Sequence, residues 1–284
     1  MTEEEKAYNK MLAELTAKVG KLTDTEVARV LDILGQALKD IDQMVATTEW
    51  QAYQIPQFKE SVERAISAFA QQYQAGADEA LKTMWLTGIE AVDVPLQTVG
   101  ISVLTSEINR SALEIMQGYS ADLIKNLSAD AIKRINSEIT LGILGEKTPW
   151  EVMQSIGRGL GDKGIMPSIA HRAETITRTE MARVHSAARE ARIRAVVDST
   201  DGEPVRWMKK WISSGKANPR PHHAALNGKM VDVDKKFPGG IPYPHAPGLP
   251  AKEVINCGCT HVLTRADWED FSKEKRPFEA DIYD

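Results

Sequence analysis

Up to Ala195, apolar residues recur mostly at three- and four-residue steps, the spacing that lines one face of an α-helix. Tyr8, Met11, Leu12, Leu15 and Val19 predict a first helix with a polar start. Thr23-Asp-Thr-Glu26 has the form of a capping box, in which the threonine hydroxyl and the glutamate side chain each satisfy the other's backbone amide. A second helix is therefore expected to start there and to follow Val27, Val30, Leu31, Leu34, Leu38, Ile41 and Val45. Pro56 interrupts the pattern. Phe58, Val62, Ala65, Ile66, Phe69 and Tyr73 predict a further helix ending near Gly76, and Leu81, Trp85 and Ile89 a shorter one. Pro95 and Gly100 read as a connection, after which Leu104, Ile108, Ala112 and Ile115 restart the helical spacing as far as Gly118.

Two similar phrases follow, Ser120-Ala-Asp-Leu-Ile-Lys125 and Ser128-Ala-Asp-Ala-Ile-Lys133, and both read as helix starts with serine as N-cap. The second is expected to continue through Ile135, Ile139 and Ile143. Thr148-Pro149-Trp150-Glu151 is another capping box, with proline at the first helical position, where its missing N–H costs nothing. Glycines 157, 159, 161 and 164 fit neither a P-loop nor a dinucleotide fingerprint and read as a helix-to-helix turn. Residues 168–197 predict one long helix, apolar along Ile169, Ala173, Ile176, Val184 and Ala188 and rich in arginine elsewhere.

The texture changes at Asp198. Val205, Trp207, Lys209 and Trp211 alternate as a strand does, and Met230–Val233 and Cys259–Leu263 predict two more. Proline and glycine between 237 and 250 force turns. The fold class expected is mainly α: an elongated helical N-terminal region followed by a small α+β C-terminal module with a short β-sheet. The expected division is a helical domain over 1–118, a second domain over 119–264 (helices 120–197, a β-rich module 203–264) and an acidic tail over 265–284.

Composition narrows the class. The hydrophobic fraction of 42% suffices for a real core, while aromatics at 6% leave packing to aliphatic residues. No apolar run is long enough to span a membrane, and the acidic start Met-Thr-Glu-Glu-Glu-Lys lacks the form of a secretory signal. Cys257 and Cys259, the only two cysteines, stand too close for a good disulfide, so a reducing compartment is expected. The net charge of −5 is uneven: residues 158–229 hold 14 Lys/Arg against 7 Asp/Glu, and the remainder 21 against 33. A basic helix face is the expected result, either solvated or turned to an acidic partner.

The stretch from Trp207 to Leu263 concentrates the candidate chemistry, with both cysteines and four of the six histidines. Imidazole and thiolate suit Zn²⁺, with about four ligands in a structural site. His223, Cys257 and Cys259 are the preferred ligands, with His222 or His261 as a fourth and His245 also available. The bland alternative is a pair of core thiols, since residues i and i+2 of a strand share a face. A metal-dependent nuclease or other hydrolase centred on His222, His223 and Cys257 is the enzymatic alternative, although no acid to orient a histidine is identifiable from sequence. Nucleic-acid contact would fall to Arg178, Arg183, Arg189 and Arg192, with Trp207 and Trp211 stacking on bases if they are not core.

These residues also carry a resemblance. Arg172-Ala-Glu-Thr-Ile-Thr-Arg178-Thr-Glu180 resembles the helix that opens the phage Mu F-like head morphogenesis domain. Lys209-Lys-Trp211, Arg220-x-x-His223-x-x-Leu226-x-Gly228, the Pro/Gly run and Val254-Ile-Asn256-Cys257-Gly-Cys259-Thr260 then follow in that family's order, over roughly residues 120–264. The family usually has arginine where Gly258 stands, and an aspartate commonly precedes the position of Arg220, where this chain has Asn218-Pro219. Some relatives carry cysteine in place of His223, an exchange that ligand equivalence would produce. The resemblance implies a minor head protein without enzymatic activity. It also implies association with the portal and the inner capsid or scaffold during assembly, contact with packaged DNA, and a place inside the virion near the portal vertex. Arg172, Glu180, Trp211, Arg220, His223, Gly228, Asn256, Cys257 and Cys259 are then its structural motif.

Overall fold

A computed structural model of the chain describes residues 2–47, 55–101, 110–161, 168–200, 205–214 and 219–268. Seven helices and three strands occur among them. They are α1 (Glu3–Thr47), α2 (Ile55–Thr98), α3 (Arg110–Ile143), α4 (Pro149–Gly161), α5 (Ile169–Ser199), β1 (Trp207–Ile212), α6 (Pro221–Leu226), β2 (Met230–Asp232), α7 (Ala251–Val254) and β3 (Thr260–Arg265). None of these helices is long and apolar enough to cross a membrane. The mainly helical class with a short C-terminal sheet is therefore observed.

Several expected helix breaks are absent. α1 runs straight through the Thr23–Glu26 capping pattern. The Thr23 hydroxyl donates to the Val19 carbonyl one turn back, and Glu26 pairs with Arg29 instead of reaching Thr23. α2 likewise absorbs Gly76 and Pro95, so the two helices expected between Phe58 and Ile89 are one. α3 absorbs Gly118 and both serine phrases, and Ser128 donates to the Lys125 carbonyl within the helix. In α2 a buried stripe through Tyr73, Ala77, Leu81, Val92 and Leu96 outweighs the local stop signals, because capping grammar contributes only about 1 kcal/mol per end.

At Thr148 the same grammar acts as expected. The amide of Thr148 donates to Glu151 Oε2 (2.8 Å) and the amide of Glu151 to Thr148 Oγ1 (3.2 Å), which starts α4 at Pro149. Gly157 and Gly159 lie inside α4, while Gly164 falls outside the described residues. The N-terminus of α5 is capped by Ser168, whose hydroxyl accepts from the His171 amide.

Packing divides the chain into two compact units. One comprises Asp24–Glu79 and Ile115–Arg178. Its core is mainly aliphatic, with Val30, Leu34, Ile41, Val62, Ile66, Leu127, Ile135, Ile139, Ile156 and Ile169 packed alongside Phe58, Phe69 and Tyr73. The Tyr73 hydroxyl is buried there and bonds the Ala173 carbonyl and the Thr177 hydroxyl. Arg172, the first residue of the motif helix, pairs with Asp130 at 2.7 Å.

The other unit comprises Met1–Thr23, Ala80–Glu114 and Thr179–Asp284 and contains the sheet. The strand order is β2-β1-β3, antiparallel throughout, with Lys209 opposite both Val231 and Leu263, and Trp211 opposite His261. One core joins Tyr8, Leu12, Val92, Leu96, Ile193, Val196, Trp207, Leu263 and Trp268. The Tyr8 hydroxyl donates to the Leu263 carbonyl at 2.7 Å, and its ring meets Trp268 edge-on.

In this unit α2 and α5 meet at Gly88. A methyl carbon there would lie 2.6 Å from the His185 carbonyl oxygen and 2.8 Å from Ala188 Cβ. Gly88→Ala at an open helical position would stabilise by about 1 kcal/mol. Here it is expected to destabilise by about 1–3 kcal/mol, because the two backbones must separate. Chemical denaturation checks the sign, and a stabilised variant would contradict this account of the contact.

Candidate functional site

The sequence places the site's residues on four short elements that the sheet gathers. β1 supplies Trp211, which is fully buried. Its amide donates to the Lys229 carbonyl and its carbonyl accepts from the Gly228 amide. Gly228 has φ +77°, a left-handed conformation that glycine adopts without Cβ strain, so the turn after α6 can fold back onto β1. α6 begins at Pro221 and carries His222 on its exposed side and His223 inward. α7 follows Pro250 and carries Glu253. The segment from α7 to β3 then carries Asn256, Cys257 and Cys259.

His223 is the hub. Its Nε2 lies 2.9 Å from Glu253 Oε2, and its Nδ1 lies 3.5 Å from Cys257 Sγ and 3.7 Å from Cys259 Sγ. His222 Nε2 reaches the same Glu253 oxygen at 2.6 Å. These contacts hold the Glu253 carboxyl below the usual glutamate range, the His222 hydrogen bond contributing most. An ionised carboxylate only accepts, so the Nε2 atoms that contact it carry protons. In the neutral ring, His223 Nδ1 then presents its lone pair to the two sulfurs. The imidazole is fixed on its faces by edge contacts with Trp211 and with His222.

The two thiols are buried and free. They share a hydrogen bond that lowers the Cys257 pKa and raises that of Cys259, so Cys257 surrenders its proton first. The Cys259 amide donates to Cys257 Sγ at 3.4 Å. His245 is buried, with φ +63° and no hydrogen bond to either ring nitrogen. Asn256 has φ +54°, and its amide donates to Thr179 Oγ1 on α5. Arg220 donates to the Ile255 carbonyl at 2.7 Å and so ties the chain before α6 to the turn after α7.

His261 is not part of this group: its Nε2 lies 3.2 Å from Glu190 Oε2 on α5. Burial lowers its pKa to about 4, against the pull of that carboxylate. Burial would raise Glu190, but His261, Lys209 and Arg194 together hold it below the ordinary value. The neighbouring Arg189 is equally buried and donates to Thr260 Oγ1 and to the His261 carbonyl.

The other arginines of α5 are engaged as well. Arg178 pairs with Asp24 and Glu174, Arg183 with Glu180, and Arg192 with both oxygens of Asp93. The positive charge counted along this helix is therefore largely matched by nearby carboxylates. Trp207 and Trp211 are core residues, with the Trp207 indole N–H bonded to the Thr200 hydroxyl, which accounts for their alternation without base stacking.

Thus Trp211, His223, Cys257 and Cys259 converge, Arg220 and Asn256 fix the turn around them, and Gly228 closes the loop beneath. Arg172 stands apart in the other unit. Sequence reasoning passed over Glu253, which has no signature beyond an acid near an asparagine and a cysteine.

The comparisons with known proteins agree with the resemblance read from these motifs. Residues 132–262 match the family model described as Phage Mu protein F like protein. The "Uncharacterized protein YqbB" of Bacillus subtilis (strain 168) is 36% identical over 95 residues, which covers 31% of this chain and 29% of that protein. The chain thus spans less than a third of that relative's length. No solved structure matches.

One residue of this unit gives a pH test. Glu180 is buried and its pKa is pushed up to about 7, with Arg183 opposing the shift. A carboxyl raised in the folded state contributes stability below its unfolded pKa and loses it as pH rises through the folded one, so the window is about pH 4.5 to 7. Wild type is expected to lose about 1–3 kcal/mol relative to Glu180→Gln across that window. Urea unfolding of both proteins at several pH values checks this, and a constant difference would show that Glu180 titrates normally.

Proposed function

We propose that this chain, which is phage Mu protein F-like over residues 132–262, is a structural head protein of a tailed phage or prophage. In this reading it associates with the portal and inner capsid during head assembly and has no catalytic role. The observation that carries the structural half is how the motif residues are used. His223, Cys257, Cys259 and Trp211 are buried, and Arg220 and Asn256 bond to backbone and to α5. Residues used to close a module on itself suit a rigid assembly part. A catalytic group must instead meet a substrate.

Contact with DNA through the α5 arginines is not included, because Arg178, Arg183, Arg189 and Arg192 are engaged with protein acceptors. One observation favours a thiol hydrolase as the second reading: Cys257, His223 and Glu253 stand in the order of nucleophile, base and orienting acid. Their burial favours the structural role.

Co-expression with the portal protein of the same phage or prophage tests the proposal. The expected outcome is a complex of fixed, low stoichiometry on size exclusion. Absence of the chain from both portal complexes and procapsids would refute it. Hydrolysis of ester or peptide substrates that disappears in Cys257→Ala would move the case to the second reading.

A further inference from the structure

The arrangement around His223 resembles a cation site more closely than a set of core hydrogen bonds. A single imidazole lone pair at Nδ1 faces two sulfurs, and one lone pair cannot satisfy two thiols equally. Tetrahedral zinc with Zn–S of about 2.3 Å and Zn–N of about 2.1 Å sets the S···N edge at about 3.6 Å. The observed edges are 3.5 and 3.7 Å. The three ligand atoms lie within 4.8 Å of one another, as three corners of one tetrahedron must.

The surroundings fit as well. Ligating histidines usually give their other ring N–H to a carboxylate, which sets the tautomer and the ring orientation. Glu253 does this for His223 and is itself held by His222. The Cys259 amide donates to Cys257 Sγ, the charge-assisted donation that a bound thiolate accepts.

We infer that Cys257, Cys259 and His223 bind one structural zinc ion, and that Glu253 is the positioning residue behind His223. The ion would join α6, which carries His223, to the turn before β3, which carries both cysteines. This inference is independent of the head-assembly proposal, and either can fail alone.

The full chain, purified without chelator, is the material for the test. Elemental analysis is expected to give about one zinc per chain. Replacement by Co²⁺ should produce thiolate-to-metal charge-transfer absorption and the intense visible bands of a tetrahedral site. Both thiols should be protected from Ellman's reagent until zinc is stripped, with release of one zinc as they react. These readouts use the wild-type chain and do not depend on a variant folding.

Among variants, Cys257→Ser and Cys259→Ser should each lower zinc affinity by at least a hundredfold. Glu253→Gln should lower it by at least tenfold. Wild type that carries no zinc and takes up no Co²⁺ would overturn the site. Unchanged affinity in Glu253→Gln would overturn the positioning role.

Discussion

Two adjacent residues of α5, Arg189 and Glu190, carry opposite charges into the interior of the unit that holds the sheet, and much of that unit depends on how they are satisfied. A buried charge without partners is not tolerated, and removing one partner of a buried pair costs about 3–5 kcal/mol. Arg189 finds the Thr260 hydroxyl and the His261 carbonyl at the start of β3. Glu190 is met by Arg194 on its own helix, by Lys209 of β1 and by His261 of β3. The helix therefore holds the two paired strands by groups that work only at one register. β3 begins one residue after Cys259, so the same constraint sets where the cysteines lie.

From there the site assembles by short steps. Trp211 stands opposite His261 in the β1–β3 pairing, so the residue that meets Glu190 and the residue that packs on His223 are partners across the sheet. Gly228 lets the chain after α6 return to Trp211, which swings His223 over the cysteines. Arg220 and the left-handed Asn256 close the far side. A motif spread over some fifty positions thus works as one object because each piece is tied to β1, β3 or α5, and not because its pieces lie near each other in sequence.

How far this was legible depends on the range of the signal. The three strands were readable because alternation is local: Trp207, Lys209 and Trp211 share one face and all are buried. The Thr148–Glu151 cap was readable because Gly142 and Gly145 precede it, the latter at φ +74°, and the apolar stripe pauses there. The identical grammar at Thr23–Glu26 misled because its members find other partners inside a continuous helix: the Thr23 hydroxyl bonds the Val19 carbonyl and Glu26 pairs with Arg29. Gly76 misled for a related reason. The Arg29 guanidinium occupies the space where a Cβ would sit and bonds the Gln72 and Tyr73 carbonyls, so the glycine marks a close contact, not a helix end.

The α5 arginines show the limit of counting charge along a chain. Residues 158–229 hold an excess of seven positive charges, which invites a phosphate-binding face. The carboxylates that answer them, Asp24 for Arg178 and Asp93 for Arg192, lie about a hundred positions or more away in sequence. A local count cannot see them. The same blindness hid Glu253, thirty residues from the histidine it contacts. Charge in this protein is balanced in space, and a basic stretch becomes evidence for an anionic partner only where the fold leaves its guanidinium groups without carboxylates of their own.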